Sequence, residues 1–147
     1  MEYDYARIDL NKTNYNIMER SEFRVLNEWT FADLNRIYTQ YCTHKKFKSV
    51  MPIFYEDYKD NQMLGYFHNN QLVAWSMIML YPSQQSVCAE QFAWNYETPS
   101  LRLGIRSLES ECAFYKKQGY NYLYIHGADD YKKDFDGFEI LGPVNSH

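Results

Sequence analysis

Two arginines and a glycine lie close together in residues 96–107, where the chain leaves a strand-like segment and enters a helical one. Free backbone N–H groups at the start of a helix bind phosphate and pyrophosphate groups. Gly104 permits a ligand to approach the backbone closely, and Arg102 and Arg106 are one helical turn apart and suit direct phosphate contacts. This turn is therefore a candidate anion site. In the alternative interpretation, Thr98 caps an ordinary helix and both arginines are solvated.

Metal-binding and disulfide patterns are absent from the sequence. The four histidines show neither the H-x-x-x-H nor the H-E-x-x-H spacing, and the three cysteines are widely separated with no C-x-x-C pair. We therefore expect no metal ion and three buried free thiols, which are Cys42, Cys88 and Cys112.

The overall composition limits the classes of protein to consider. The 147 residues include 15 Lys+Arg and 19 Asp+Glu, which give a formal net charge of −4. This charge argues against a protein that binds nucleic acid mainly by electrostatic attraction.

The longest apolar run is far shorter than the ~20 residues of a membrane-spanning helix, and the acidic N-terminus lacks the features of a secretory signal. We therefore expect a single cytoplasmic domain over residues 1–147 that does not bind a membrane.

Hydrophobic spacing predicts the first elements of this domain. Residues 1–20 are polar and weakly periodic, so we interpret them as an N-terminal extension that precedes a core at 22–143. Alternating residues predict a strand at 22–26, and helical spacing predicts a helix over 30–41. Pro52 suits the first turn of a second, short helix that extends through Tyr58.

The middle of the chain has the spacing of strands. Two strands at 63–67 and 72–81 flank an asparagine-rich turn, which is typical of a tight hairpin. After a second turn at 82–85, a third strand is predicted at 87–95. These three strands are expected to form an antiparallel meander.

Helical spacing returns after this meander. A single apolar stripe is predicted to be the buried face of a long helix, and it consists of Leu101, Ile105, Leu108, Cys112 and Tyr115. Gly119 is expected to end the helix. A strand at 121–125 follows, and we expect it to pair in parallel with the preceding strand because a helix connects the two. A helical turn at 129–133 and a strand at 137–141 complete the predicted order.

Several of these segments resemble the GNAT (Gcn5-related N-acetyltransferase) superfamily. The resemblance covers residues 22–143 and depends on the strand order, the glycine-containing turn into the long helix and the segment 128–143. Four pieces are more similar to the catalytic half of the aminoacyl-tRNA–protein transferases, a GNAT-like branch. They are residues 96–99, Leu101-x-Leu103-Gly104-x-x-Ser107-Leu108-x-x-Glu111, Gly119-Tyr120-x-Tyr122-x-Tyr124-Ile125 and Tyr131-Lys132-x-x-Phe135.

The resemblance implies both a fold and an activity. The fold is α+β in three layers, with a mixed, mostly antiparallel sheet, helices on both faces and a parallel strand pair at the cofactor cleft. The activity is transfer of an acyl group, such as acetyl, from acyl-CoA to an amine of a small molecule or protein.

One alternative to this activity is aminoacyl transfer from aminoacyl-tRNA. Another is a non-catalytic domain that binds a ligand or partner, because Leu101 and Arg106 stand where the acyl-CoA loop of the family has Gln or Arg and a small residue. Exposed aromatic residues in this tyrosine-rich chain could form a homodimer surface.

The same resemblance implies roles for individual residues. Glu90 is the expected base, directly or through water, Tyr131 the expected acid, and His126 a second acid–base candidate. Alternatively, Glu90 is an ordinary strand residue, His126 lies at the rim and Tyr131 serves packing. Backbone N–H groups of the strand would bind the thioester oxygen, and the turn into the long helix would bind the phosphates. The expected cofactor-binding residues are Phe92, Ala93, Trp94, Arg102, Leu103, Gly104, Ile105, Arg106 and Ser107.

Overall fold

The chain forms a mixed sheet with helices, and the computed structural model describes residues 2–19, 22–27, 31–45, 61–126 and 134–145. The strands are β1 (Glu2–Asp9), β2 (Phe23–Val25), β3 (Gln62–His68), β4 (Gln71–Tyr81), β5 (Ser86–Trp94), β6 (Tyr122–His126) and β7 (Phe138–Asn145). The α-helices of the described residues are α1 (Phe31–Lys45) and α2 (Leu103–Lys117), with 3-10 helices at Leu10–Lys12, Pro82–Gln84 and Pro99–Leu101. The strand order in the sheet is β2-β3-β4-β5-β6-β1-β7. The predicted α+β class is confirmed.

The chain divides into two compact units, and the division passes through β4, β5 and α2. The first unit consists of Met1–Ile17, Met79–Glu90 and Glu109–His147. The second consists of Met18–Ile78 and Gln91–Leu108. The assignment of a single domain stays a prediction.

In the second unit, α1 and the first turns of α2 lie on opposite faces of the sheet. The indole of Trp75 donates a hydrogen bond to the carbonyl of Leu34 on α1, at 3.0 Å. The hydroxyl of Tyr66 donates to the carbonyl of Ser107 on α2, at 3.3 Å. Tyr66 pairs with Ala74, the neighbour of Trp75, and successive residues of a strand point to opposite faces. The prediction of helices on both faces is therefore confirmed.

The core of the second unit lies between α1 and the sheet. Its fully buried members include Leu34 and Ile37 on α1 and Trp75 on β4. In the described ranges, the members of this buried cluster are Leu34, Ile37, Tyr38, Cys42, Met63, Trp75 and Ala93. The spacing of its α1 members, at steps of three and four, explains why this segment is helical.

The predicted hairpin is confirmed by β3 and β4, which pair antiparallel. Its turn consists of Asn69 and Asn70, whose φ angles of 51° and 64° are both positive. A two-residue turn with positive φ at both positions matches the twist of the flanking strands, and asparagine tolerates this conformation better than most residues. The turn chemistry thus fixes the register of the pair.

The N-terminal segment corrects one expectation, because residues 2–9 form an inner strand rather than an extension. Strand β1 pairs antiparallel with β6 on one side and with β7 on the other. Ala6 and Ile8 are fully buried. The pairing with β7 shifts register between Tyr5 and Ala6. Such a β-bulge interrupts the alternation of side chains along a strand, which made the segment look weakly periodic.

The parallel pairing expected across the long helix is also confirmed. Strands β5 and β6 pair in parallel from Ser86 opposite Tyr122 to Ala89 opposite Ile125. The connecting helix α2 ends before Gly119, whose φ is +93°. This conformation strongly favours glycine, which accounts for the termination at this position.

The buried stripe of α2 is only partly the one predicted. Leu108, Cys112 and Tyr115 are buried, as expected, and Ile105 is half-buried. Leu101 precedes the helix, whereas Leu103 is the buried residue of its first turn. The difference arises because the chain makes a 3-10 turn before α2, which shifts the phase of the helix.

The short helix predicted from Pro52 through Tyr58 and the helical turn predicted at 129–133 lie outside the described residues. The last predicted strand is confirmed as β7.

In the part of the chain that the structure describes, no helix has both the length and the apolar character needed to cross a membrane.

Candidate functional site

The turn that leads into α2 is built by two short irregular segments. Tyr96 follows β5 with φ of 60°, and Arg102 has φ of 50° after the 3-10 helix Pro99–Leu101. The side chain of Thr98 makes no capping hydrogen bond, so the interpretation in which Thr98 caps the long helix is wrong. Helix α2 begins at Leu103, which places Gly104 in its first turn.

The first turn of α2 leaves the backbone at Gly104 open. Among the described residues, a Cβ atom at Gly104 would meet no other heavy atom within 4 Å. The backbone N–H groups of Ile105 and Arg106 donate to the carbonyl of Arg102, at 3.1 and 3.0 Å. Leu103 and Ser107, by contrast, are buried. Since no packing against the described residues requires a glycine here, the absent side chain leaves room for a ligand to reach the helix N-terminus.

The two arginines of this turn differ in their surroundings. Arg102 is exposed. Arg106 forms an ion pair with Glu22 at 3.3 Å and also donates to the carbonyl of Leu101 at 3.5 Å. The guanidinium of Arg106 is thus already held by a carboxylate. Arg102 is the more accessible of the two for an incoming anion.

Strand β5 continues beyond its pairing with β6. The paired positions end at Ala89, whereas the strand extends to Trp94. Ala93 and Trp94 are buried, and Phe92 is half-buried with its ring 6.3 Å from that of Tyr66 in an edge-on contact. The three residues predicted to line the cofactor cleft therefore lie on the stretch of β5 that has no β6 partner in the described register.

The predicted base lies at the end of the paired stretch. Glu90 follows Ala89 on β5, and His126 follows Ile125 on β6, so the two occupy the next positions on the parallel pair. Tyr131, the predicted acid, lies outside the described residues. Glu90 and His126 thus each lie one residue beyond the last pair of the described β5–β6 register.

The pKa of the Cys88 thiol is raised in part by the neighbouring side chain of Glu90. Burial, the charge of Glu90 and a hydrogen bond with its side chain together raise the pKa of Cys88 to about 12. Burial is the largest of these causes. Cys88 and Glu90 are two residues apart on β5 and so project from the same face of the sheet.

A polar row on the sheet was not predicted from the sequence. Arg7 lies on β1 between Tyr124 of β6 and Glu139 of β7. Its guanidinium pairs with Glu139 at 2.8 Å, donates to the hydroxyl of Tyr124 at 3.2 Å and lies 3.9 Å from the ring centre of Tyr122. Because Arg7 and Glu139 are 132 positions apart, no local signal joins them.

The three cysteines provide the first testable prediction. All three are free and buried, and burial raises the pKa of both Cys88 and Cys112. With a pKa near 12, Cys88 has a thiolate fraction of only ~10⁻⁴ near pH 8. We expect Ellman's reagent to react slowly with the folded protein and with three thiols per chain after denaturation. Rapid reaction of any thiol in the folded protein would contradict this burial.

In the described ranges, no group of three or more His, Cys, Asp or Glu side chains could hold a metal ion.

Comparison with known proteins identifies the fold. No family model and no curated protein matches this chain. Among solved structures, L-PGS from Bacillus licheniformis is 15% identical with a TM-score of 0.66, and the match covers 86% of this chain and 46% of that one. A protein described as a GNAT-family acetyltransferase from Novosphingobium aromaticivorans is 11% identical with a TM-score of 0.66, over 97% of this chain and 62% of that one.

A third structure agrees with these two. The GCN5-related N-acetyltransferase from Kribbella flavida is 9% identical with a TM-score of 0.59, over 97% of this chain and 56% of that one. The chain thus spans about half to three fifths of the length of these three proteins. Sequence identities this low carry information about the fold alone. Together with the mixed sheet, its parallel pair and helices on both faces, these matches show that the chain has the GNAT fold.

Proposed function

We propose that the chain is an acyltransferase that moves an acyl group from acyl-CoA to an amine of a small molecule or protein. A transferase activity of the acyl or aminoacyl type is supported by the GNAT acetyltransferases and L-PGS among the structural neighbours of the chain.

The observation that carries this proposal is the course of β5. The described pairing of β5 with β6 ends at Ala89, whereas the strand runs on to Trp94 and leads through a short turn into the N-terminus of α2. Unpaired backbone groups of a strand accept an extended ligand, and a helix N-terminus accepts phosphate. An acyl-CoA molecule carries both an extended pantetheine arm and a pyrophosphate, so this sequence of elements suits it.

The residues at the helix N-terminus fit the phosphate end of such a molecule. The open backbone at Gly104 and the exposed guanidinium of Arg102 would hold the pyrophosphate. Arg106 would contribute less, because Glu22 already pairs with it. The amide groups of Phe92, Ala93 and Trp94 would bind the thioester end.

In the proposed reaction, acyl-CoA supplies an activated acyl group as a thioester. The amine nitrogen forms a bond to the carbonyl carbon while the carbon–sulfur bond breaks, the amine loses a proton and the thiolate gains one. We assign removal of the amine proton to Glu90, directly or through water. Tyr131 is proposed as the proton donor to the thiolate, and His126 as a second acid–base candidate.

A transfer assay tests this proposal. The full chain would be incubated with radiolabelled acetyl-CoA and a panel of amines, including amino sugars, polyamines and peptides. Label transferred to an amine by the folded chain, and not by a heat-denatured sample, supports acyl transfer. Failure to label any amine and failure to bind acetyl-CoA would together overturn it.

Aminoacyl transfer is the second candidate. The structural similarity to L-PGS, and to the C-terminal domain of a lysylphosphatidylglycerol synthetase from Agrobacterium fabrum with a TM-score of 0.65, favours it. The same assay with radiolabelled aminoacyl-tRNA in place of acetyl-CoA separates the two donors. A non-catalytic ligand-binding domain is the remaining alternative. It predicts binding of acetyl-CoA or another ligand with no transferred label from either donor.

The charge at Arg102 provides the second prediction. If the guanidinium contacts a phosphate, Arg102→Gln should weaken acetyl-CoA binding about 10-fold or more, since charge-assisted hydrogen bonds contribute roughly 1.5–3 kcal/mol. Isothermal titration calorimetry measures the change. Lys117→Gln, which removes the same charge at the other end of α2, is the control and should leave the affinity unchanged. If Arg102→Gln and Lys117→Gln bind acetyl-CoA with equal affinity, a contact between Arg102 and a phosphate would be rejected.

A further inference from the structure

A carboxylate of the protein itself lies beside the N-terminus of α2, within the second unit. Arg106 is the fourth residue of α2, yet its Nη1 donates to the carbonyl of Leu101, which precedes the helix, at 3.5 Å. The guanidinium therefore turns back towards the start of the helix. Its Nη2 atom lies 3.3 Å from Oε2 of Glu22, so this carboxylate lies at the same end of α2.

The carboxylate of Glu22 suits this position for the same reasons as a phosphate would. The N-terminus of a helix carries a partial positive charge, which stabilises carboxylates and phosphates alike. Guanidinium groups bind both kinds of anion through charge-assisted hydrogen bonds. Glu22 thus already makes, on Arg106, a contact that a phosphate at this helix end would make.

Backbone pairing and buried rings hold Glu22 beside α2. The backbone N–H of Phe67 donates to the carbonyl of Glu22 at 2.7 Å, which extends the pairing of β2 with β3 by one residue. The next residue, Phe23, is buried with its ring 5.6 Å from that of Tyr66. The hydroxyl of Tyr66 in turn donates to the carbonyl of Ser107 on α2, at 3.3 Å. The ion pair is therefore placed by the packing of β2 against α2, and not by two long side chains alone.

The carboxylate itself is able to leave this position. The side chains of Arg106 and Glu22 are 37% and 27% exposed, so water can solvate both groups when the pair separates. Ion pairs that are partly exposed contribute little to stability. Displacement of the carboxylate by a phosphate needs only rotation of the Glu22 side chain, while its backbone stays paired with β3.

We infer that Glu22 is an internal competitor for the phosphate groups of the donor and so determines how strongly this site attracts phosphate charge. In the free protein, its carboxylate occupies Arg106 in place of a phosphate. A phosphate that binds here displaces this carboxylate and then lies near a like charge, which opposes binding. The opposition grows with the charge of the ligand, so Glu22 disfavours highly phosphorylated ligands. This inference rests on the proposed acyl-CoA site.

Calorimetric titration of the full chain with inorganic pyrophosphate tests the inference without an acyl group. Glu22→Gln preserves the size of the side chain and removes its charge. We expect pyrophosphate to bind this variant about 10-fold more tightly than the original chain, because a like charge next to the bound anion is removed. Glu19→Gln is the matched control and should leave the affinity unchanged. Glu19 is exposed, and its carbonyl accepts the backbone N–H of Glu22 in the same turn.

A double-mutant cycle shows whether the gain comes from Arg106. Arg106→Gln should weaken pyrophosphate binding about 10-fold more strongly in the Glu22→Gln chain than in the original chain, because only there is the guanidinium released from a carboxylate. A merely structural role of the ion pair predicts neither the gain nor this coupling. Circular dichroism shows that each variant is folded.

Unchanged or weaker pyrophosphate binding in Glu22→Gln, an equal gain in Glu19→Gln, or no binding by either the original chain or Glu22→Gln would overturn the inference. If the chain transfers acetyl groups but its pyrophosphate affinity does not respond to Glu22→Gln, the competitor is rejected and the proposed function stands. If Glu22→Gln binds pyrophosphate more tightly and no acyl group is transferred, the competitor is supported and acyl transfer is rejected.

Discussion

Replacement of Glu90 by glutamine is expected to lower the turnover of acyl transfer ~10²- to 10⁴-fold, the range in which a positioned acid or base contributes to a reaction. Glutamine preserves the size of the side chain but cannot accept the amine proton. The affinity for acetyl-CoA should be nearly unchanged, because Glu90 is assigned to the chemical step and not to cofactor binding. Steady-state rates and calorimetric titrations on the same preparations measure both quantities.

The same variant has a readout that does not depend on activity. The charge of Glu90 contributes to the raised pKa of Cys88, so Glu90→Gln should lower that pKa, although burial keeps it above the ordinary value. Asp134→Asn is a matched control that removes a carboxylate from an exposed position. Full turnover in the Glu90 variant would exclude this residue from the mechanism.

Replacement of Gly137 by alanine is expected to destabilise the protein by about 2–5 kcal/mol, as the sum of left-handed backbone strain and steric overlap. Gly137 has φ of +76°, and an added Cβ atom would overlap the backbone carbonyl of Asp9 on β1. The backbone N–H of Asp9 also donates to the carbonyl of Gly137 at 2.8 Å. Denaturant unfolding gives the change in free energy.

Gly119→Ala is the control for this prediction. Gly119 also has a positive φ, of +93°, but an added Cβ would meet none of the residues that the structure describes within 4 Å. The Gly119→Ala substitution should therefore lower the free energy of unfolding only by the backbone strain, about 1–2 kcal/mol. If both variants lose the same free energy of unfolding, that result would contradict the close approach of Gly137 to β1.

Local signals predicted much of the fold. The hairpin of β3 and β4 was predictable because two adjacent asparagines specify the turn that joins the strands. The parallel pairing of β5 and β6 followed from the helix between them. In each case the information lies within a short stretch of sequence.

Strand β1 was missed although its pattern is present in the sequence. Residues 2–5 alternate acidic and aromatic residues, and residues 6–9 alternate again after a change of phase. The change of phase falls between Tyr5 and Ala6, where the pairing with β7 shifts register. A search for two short alternating runs joined by a bulge would have found this strand.

The candidate sites were predictable only in part. The anion-binding turn could be found because its glycine and arginines are close in sequence. The residue at which α2 begins could not be predicted from the sequence, because Arg102 adopts a left-handed conformation that its neighbours do not specify. An open polar groove is lined by residues from positions 33 to 97, and a wall assembled by the fold leaves no spacing pattern in the sequence.

Calorimetric titration of the full chain and its Gly104→Ala variant with acetyl-CoA tests the central claim most directly. We predict one site per chain in the original sequence, with a dissociation constant between about 1 μM and 1 mM, the usual range for enzyme substrates. An added methyl group at Gly104 meets no atom of the described part of the chain within 4 Å, so the variant should be at least as stable, yet it should bind acetyl-CoA about 10-fold or more weakly. Absence of binding to the original sequence, or equal affinity in the variant, would contradict an acyl-CoA site at the N-terminus of α2.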